Sequence, residues 1–274
     1  MEAVSDSKKL LKIANSLRID ILRMISKAGS GHPGGSLSAI DVLTALYYAK
    51  MDHSPSYQDE QRRDRFVLSK GHGAPALYAI LASCGYFAKE ELNSLRKLEG
   101  TLSGHPSSRL THGVEVSTGS LGQGLSIANG MAISGKLDGW PNTVYCMLGD
   151  GELQEGQVWE ALMSAAHYKL DNIVAIIDAN GLQIDGSVEN VMGVEPIDDK
   201  IASFGWAVKS IDGHNFDMIL DALDWASEVQ DRPAMIVSRT IKGRGVSFME
   251  GKVNYHGVAL GDEELAMAIA ELER

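Results

Sequence analysis

Two stretches of this chain are almost wholly apolar, and each stops at a short polar side chain: NTVYCMLG (142–149) runs into Asp150, and NIVAIIDA (172–179) runs into Asn180. A strand with so little polar surface on either face has to be buried on both, as happens inside a parallel sheet covered by helices. Between the two runs, EGQVWEALMSAAHYKL sets Val158, Leu162, Ala165 and Lys169 at helical spacing. The rest of the chain follows the same alternation. RFVLS leads into KGHGAPALYAILAS, and GWAVKSID, FDMILDALDWASEV and PAMIVSRT read as strand, helix and strand. At the start, Leu10, Ala14, Leu17, Ile21, Ile25 and Ala28 mark one helix face until Gly29, where the glycine-rich loop GSGHPGGS (29–36) leads into a second helix; DEELAMAIAEL closes the chain. The expected fold class is α/β, a mostly parallel sheet with helices on both faces. With no repeat, linker or low-complexity segment, residues 1–274 read as a single domain, and 44% hydrophobic residues suffice for its core.

The balance of charge narrows the partners. Asp and Glu number 36 against 25 Lys and Arg, a net charge of −11 with no basic cluster, so nucleic acid is not expected. No apolar run approaches the roughly 20 residues that cross a bilayer, and MEAVSDSKKLLKIANSL lacks the apolar stretch of a signal peptide. Cys84 and Cys146 lie in apolar segments, which suits structural thiols in a reduced, cytoplasmic protein.

In open α/β sheets ligands bind beyond the carboxyl ends of the strands, where Asp150 and Asn180 are expected. The 28 residues from 152 to 179 are enough for a helix and a returning strand, so the two side chains converge if their strands are neighbours. A carboxylate and a carboxamide are hard oxygen donors suited to Mg²⁺ or Ca²⁺, and Mg²⁺ completes its shell with water and phosphate oxygens. Gly149 and Gly151 permit tight turns, and a helix starting near Glu152 offers free N–H groups to an anion. An aspartate after a strand also caps helices, but GDG, this spacer and an asparagine together are more specific than a cap. The dinucleotide fingerprint is absent, because Gly119, Gly122 and Gly124 have the wrong spacing. Glu152 and Glu160 read as capping or solvated carboxylates, Trp159 and the methionines as core. His53, His112, His167 and His214 fit no site pattern and read as surface or capping residues.

GDGELQEG followed by DANGLQIDG resembles the thiamine diphosphate motif of transketolase-like enzymes. AGSGHPGG, LSKGHGAPALY, SGHP, GVEVSTGSLGQGLSIANGMA and TIKGRGVSFMEGKVNYHG are similar to transketolase itself, in the family's order over about residues 10–257. The resemblance implies the diphosphate-binding type of the thiamine diphosphate fold. It assigns Asp150, Asn180 and the Leu182 carbonyl to a divalent cation, Mg²⁺ first, with Ca²⁺ or another divalent ion as alternatives. It assigns Gly151, Asn180, His72 and His256 to the diphosphate, and Gly119, Ser120 and Leu121 to the body of the cofactor, with Ser120 standing where the family usually has proline. Glu155 falls where cofactor sites of two subunits communicate. His32, His105 and His256 would face the reacting carbons as catalytic groups, a role suited to a side chain that titrates near neutral pH.

The family's second, pyrimidine-binding domain and its third domain have no counterpart before Arg274. The glutamate that activates the cofactor and the arginines that hold substrate phosphate belong to those domains. The resemblance therefore implies the N-terminal subunit of a split transketolase, active with a separate chain carrying the pyrimidine-binding domain, most simply as an α2β2 heterotetramer. It would move a two-carbon ketol unit between sugar phosphates, as in the pentose phosphate pathway. The alternatives are a 2-oxo acid dehydrogenase α chain, a relative of deoxyxylulose phosphate synthase, or a non-catalytic diphosphate-binding chain.

Overall fold

In the computed structural model, which describes residues 3–57 and 60–274, a five-stranded sheet forms the centre of the chain. Met1 and Glu2 of the polar N-terminal lead lie outside the described residues. The elements in chain order are α1 (Ser7–Ala28), α2 (Pro33–Ala45), β1 (Arg65–Leu68), α3 (Ala74–Ser83), α4 (Gln123–Asp138), β2 (Val144–Gly149), α5 (Gly156–His167) and β3 (Ile173–Ala179). A small antiparallel pair follows, β4 (Leu182–Gln183) and β5 (Gly186–Ser187), then α6 (Val188–Met192), α7 (Ile197–Ser203), β6 (Ala207–Asp212), α8 (Phe216–Glu228), β7 (Ala234–Arg239) and α9 (Asp262–Leu272).

The sheet order is β1-β2-β3-β7-β6, and every pairing in it is parallel. Alternation along each strand divides the apolar residues between two cores. Phe66 and Leu68, Tyr145 and Met147, Val174 and Ile176, and Ala234 and Ile236 face α1, α2, α3, α8 and α9. Val67, Val144, Cys146, Leu148, Ile173, Ala175, Ile177, Met235 and Val237 face α4, α5 and α7. All six residues of β2 and all seven of β3 are buried, which is why their sequences carry so little polar character. Each fully buried aliphatic side chain contributes about 1.5–3 kcal/mol relative to exposure.

Some expectations need correction. Met163, Met192, Met218 and Met267 are exposed rather than core, because each falls on the outer face of its helix. Lys169 lies beyond the end of α5 in a left-handed turn and does not continue the helical face. His53 is neither a surface nor a capping residue: it is buried between the Tyr47 carbonyl (2.8 Å) and the Tyr86 hydroxyl (3.0 Å). His214 takes part in a buried charge network. Its Nε2 accepts the Ile241 N–H at 2.8 Å, so its Nδ1 carries the proton and donates to Asp41 Oδ2 at 2.8 Å. Arg18 donates to the same oxygen at 2.6 Å and to the Arg244 carbonyl at 3.0 Å. Burial alone would raise the Asp41 carboxyl, but Arg18 and His214 outweigh it and hold that carboxyl below its usual range. The network pins the segment after β7 to α1 and α2.

Candidate functional site

The carboxyl ends of β1, β2, β3 and β7 open on one cleft of about 370 Å³, lined among others by Lys70, His72, Asp150, Asn180, Lys242 and His256. β2 and β3 are neighbours in register, so Asp150 and Asn180 follow adjacent strand ends. Asp150 Oδ1 accepts the Gly151 N–H at 2.8 Å, and Oδ2 accepts the Gly181 N–H at 2.5 Å, lacing the two turns together. The carboxylate is 4% exposed, and burial pushes its pKa up to about 6 despite those two donors. Asn180 donates through Nδ2 to Asp178 Oδ2 at 3.2 Å, which fixes its amide and leaves Oδ1 as the acceptor of the Leu182 N–H at 3.2 Å.

The Leu182 carbonyl and Asn180 Oδ1 already face a cation, the ammonium of Lys242, at 2.8 Å and 3.5 Å. Lys242 is 2% exposed, with no carboxylate within ion-pair distance among the described residues. Burial, helped by the nearby Lys70 charge, lowers its pKa to about 8. Lys70, also buried, donates to Asp178 and to the Gly35 carbonyl, and Asp178 takes further bonds from Ser38 and Thr240. Lys70 is thus compensated within the protein, whereas Lys242 has only neutral partners. A buried ammonium without a direct ion pair, beside a carboxylate, a carboxamide and a carbonyl that it could release, suits an anion that brings its own divalent cation.

Four histidines from four segments meet above these groups. Ring centroids lie 5.4 Å apart for His32 and His72, 5.6 Å for His32 and His256, 6.3 Å for His32 and His105, and 5.2 Å for His72 and His256, which stack. Burial, with the charge of Arg96, lowers His32 to about 4; burial, with Lys242, lowers His256 to about 3. His72 is held well below its ordinary value by burial and Lys70, and His105 is lowered by burial and Arg96. All four are therefore neutral at pH 7, each offering one donor and one acceptor. His256 Nδ1 lies 3.1 Å from the Lys242 ammonium and so accepts from it. His32 Nδ1 is buried with no hydrogen-bond partner, and His32 stands behind the cleft lining formed by His72, His105 and His256.

The loop 119–122 closes one wall. Gly119 (φ +155°) packs where a Cβ would come within 3.3 Å of His105, and a Cβ on Gly71 would lie 2.8 Å from the Gly119 nitrogen, so two backbones touch there. Gly119 and Leu121 line the cleft; Ser120 is exposed and does not line it. Glu155 lines it at the outer edge.

The tight turn expected here runs over Gly151–Gln154, and Gly151 allows close approach, since a Cβ there would meet Gln183 at 3.3 Å. Two local readings change. The helix does not begin near Glu152: a single tight turn spans Gly151–Gln154, Glu155 is extended, and α5 starts at Gly156. The cause is Glu152 itself, which is buried rather than solvated or capping. Its Oε1 accepts from Ser69 and from the Gly122 N–H (2.9 Å), and its Oε2 accepts the Gly149 N–H (3.0 Å). Burial raises its carboxyl against these donors. Lys70, Lys242 and Glu152 are the site residues that sequence reading missed; each stands within a matching glycine-rich stretch, where a lysine or glutamate first reads as a solvated side chain.

The family model described as "Transketolase, thiamine diphosphate binding domain" matches residues 9–272. The 6-deoxy-6-sulfo-D-fructose transketolase subunit SqwG of Clostridium sp. is 49% identical over 261 residues, 95% of this chain and 95% of that protein. An apulose-4-phosphate transketolase subunit of Phocaeicola vulgatus is 41% identical, over 92% of this chain and 89% of that protein. Human transketolase is 40% identical across 97% of this chain, which spans only 43% of that longer protein. The crystal structure of transketolase from Campylobacter jejuni superposes with a TM-score of 0.93 at 35% identity, over 98% of this chain and 43% of that one.

Proposed function

The chain belongs to the transketolase family, as its thiamine diphosphate-binding domain, and we propose that it is the N-terminal, diphosphate-holding subunit of a two-chain transketolase. The observation that carries this reading is the cleft at the ends of β1, β2, β3 and β7, where a buried ammonium without an ion-pair partner is held by the Leu182 carbonyl beside the buried Asp150 carboxylate. The near-complete match to relatives named as subunits supports the division into two chains, because this chain spans less than half the length of full-length transketolases. Residues 1–274 are the diphosphate-binding domain, and a separate polypeptide supplies the pyrimidine-binding half, two copies of each forming the assembly.

Asp150, Asn180 and the Leu182 carbonyl hold a divalent cation, Mg²⁺ being the ion whose hard-oxygen preference and phosphate affinity fit best. Gly151, Asn180, His72 and His256 contact the diphosphate, and Lys242 turns its ammonium from the Leu182 carbonyl to the anion. Gly119 and Leu121 line the body of the cofactor, with Ser120 contributing backbone alone and Glu155 at the edge facing a second subunit. When bound, thiamine diphosphate supplies the carbon nucleophile that carries a two-carbon ketol unit. His32, His105 and His256 bind the hydroxyls of the sugar. Being neutral at pH 7, they can accept a proton from one hydroxyl and donate to another without first losing a charge. The names of the two subunit relatives extend the substrate class beyond pentose phosphates to ketoses ending in a sulfonate or a phosphate.

Buried, unbridged Cys84 and Cys146 support a cytoplasmic setting, and among the described residues no helix is long and apolar enough to cross a membrane. The test is reconstitution: the purified chain, its partner, and the two together, assayed with Mg²⁺, thiamine diphosphate and a ketose phosphate or sulfo-ketose donor. Ketol transfer by the mixture alone is expected; appreciable transfer by this chain alone overturns the two-subunit reading. Pyruvate as the preferred donor would favour a deoxyxylulose phosphate synthase-like enzyme.

A further inference from the structure

Arg96 has a backbone conformation unusual for its residue type. Its φ is +58°, in the left-handed region that favours glycine, within the loop between α3 and α4. Its N–H donates to the Leu102 carbonyl at 2.8 Å, closing the turn, and the residue is exposed to solvent. Its Nη1 donates to the Ser30 hydroxyl at 3.1 Å, and the guanidinium lies flat against Gly104, where a Cβ would come within 3.0 Å of its central carbon. Ser30 is two residues before His32, and Gly104 is one residue before His105. No carboxylate lies within ion-pair distance of Arg96 among the described residues.

Building on the transketolase reading, we propose that Arg96 is a positioning residue: its guanidinium spans the loops that carry His32 and His105 and sets the positive charge that both imidazoles meet. The charged and titratable groups facing His32 are Arg96, His105, Lys242, His72 and His256; Arg96 and His32 face His105. Arg96 is the strongest charge acting on each of the two, after burial. A fixed cation beside a histidine stabilises its neutral form, and a neutral imidazole can both accept and donate a hydrogen bond to a sugar hydroxyl. The planar fork is what lets one side chain reach Ser30 while lying against Gly104, which a lysine cannot reproduce. A side chain at Gly104 would press on the guanidinium, its Cβ lying 3.0–3.1 Å from three of its atoms.

The test uses the full chain with Arg96→Gly, which suits the left-handed backbone and so removes the side chain with little disturbance of the turn, and Arg96→Lys, which keeps the charge without the fork. Imidazole titration by NMR should show the His32 and His105 midpoints moving upward together in Arg96→Gly and staying near wild type in Arg96→Lys. Midpoints unchanged in Arg96→Gly overturn the proposal. In the reconstituted two-chain enzyme, Arg96→Gly should raise KM for the ketose about tenfold while kcat changes less, with Arg96→Lys in between. Wild-type KM in both variants overturns the positioning role. If wild type itself shows no ketol transfer but the midpoints move as expected, the transketolase reading fails and the charge assignment stands.

Discussion

The ammonium of Lys242 lies 2.8 Å from the carbonyl oxygen of Leu182, an oxygen proposed above as a ligand of a divalent cation. On that ligand set the ammonium would compete with the cation, and binding of metal and diphosphate would turn Lys242 from the carbonyl to the phosphate. A hydrogen bond to a charged group contributes about 1.5–3 kcal/mol. Lys242→Met should therefore weaken thiamine diphosphate binding by about ten- to a hundredfold at saturating Mg²⁺. Isothermal titration calorimetry reads this directly, and an unchanged Kd removes Lys242 from the diphosphate site.

Asp150 permits a separate test of the metal. Asp150→Asn keeps an oxygen for the Gly181 N–H but loses the charge that a cation needs. A ligand present at about 100 times its Kd stabilises the fold by about 2.7 kcal/mol. Thiamine diphosphate with Mg²⁺ should raise the wild-type Tm and leave that of Asp150→Asn nearly unmoved, while ATP with Mg²⁺ raises neither. Equal stabilisation of the variant would place the cation elsewhere.

The parts of the site that can be read from the sequence are those that sheet geometry dictates. β2 and β3 are buried on both faces, so their apolar runs announce themselves, and the polar residue that ends each run has to lie at a strand end. Asp150 and Asn180 are legible for that reason. Glu152 is not, because whether a carboxylate in a first turn points to water or inward depends on Gly122 and Ser69, which lie 30 and 83 residues away. The same holds for Arg96: its left-handed backbone is set by a turn closed on Leu102, and its neighbours are Ser30 of another loop and Gly104 farther along its own. The exposed methionines escape a sequence reading because apolar type alone does not say which helix face a residue occupies.

Glu152 joins the end of β1, the loop 119–122 and the end of β2 through one carboxylate. Glu152→Ala would leave the Gly122 and Gly149 N–H groups and the Ser69 hydroxyl without their acceptor in a buried region. Each unsatisfied buried group costs about 1–3 kcal/mol, and relief of the desolvated Glu152 carboxylate offsets part of the sum, so a loss of about 2–5 kcal/mol is expected by urea unfolding. Glu152→Gln should fall between, because its oxygen can serve Ser69 and Gly122 only by setting its NH2 against the Gly149 N–H. A change in Glu152→Ala of less than about 0.5 kcal/mol, the size of an ordinary surface substitution, would contradict the three-way clamp.

His53 isolates one contribution to the pH dependence of stability, far from the cofactor cleft. Burial lowers its pKa below 6.5, overcoming the bond to the Tyr47 carbonyl that favours the charged form. The unfolded chain therefore binds more protons at this position, so the contribution is complete above the unfolded pKa and is lost as pH falls from about 6.5 toward the folded value. The raised carboxyls of Asp64, Asp150 and Glu152 act in the opposite sense over an overlapping acidic range, binding protons more readily when folded, so the total curve mixes both signs. Subtraction separates them. His53→Phe removes the titration and the two hydrogen bonds, so it should be less stable than wild type at pH 7.5, and the gap should shrink as pH falls to 5. Urea unfolding at matched pH values measures it; a constant gap would mean a pKa unchanged by folding and a gap that widens toward acid a raised one, and either contradicts the lowered value.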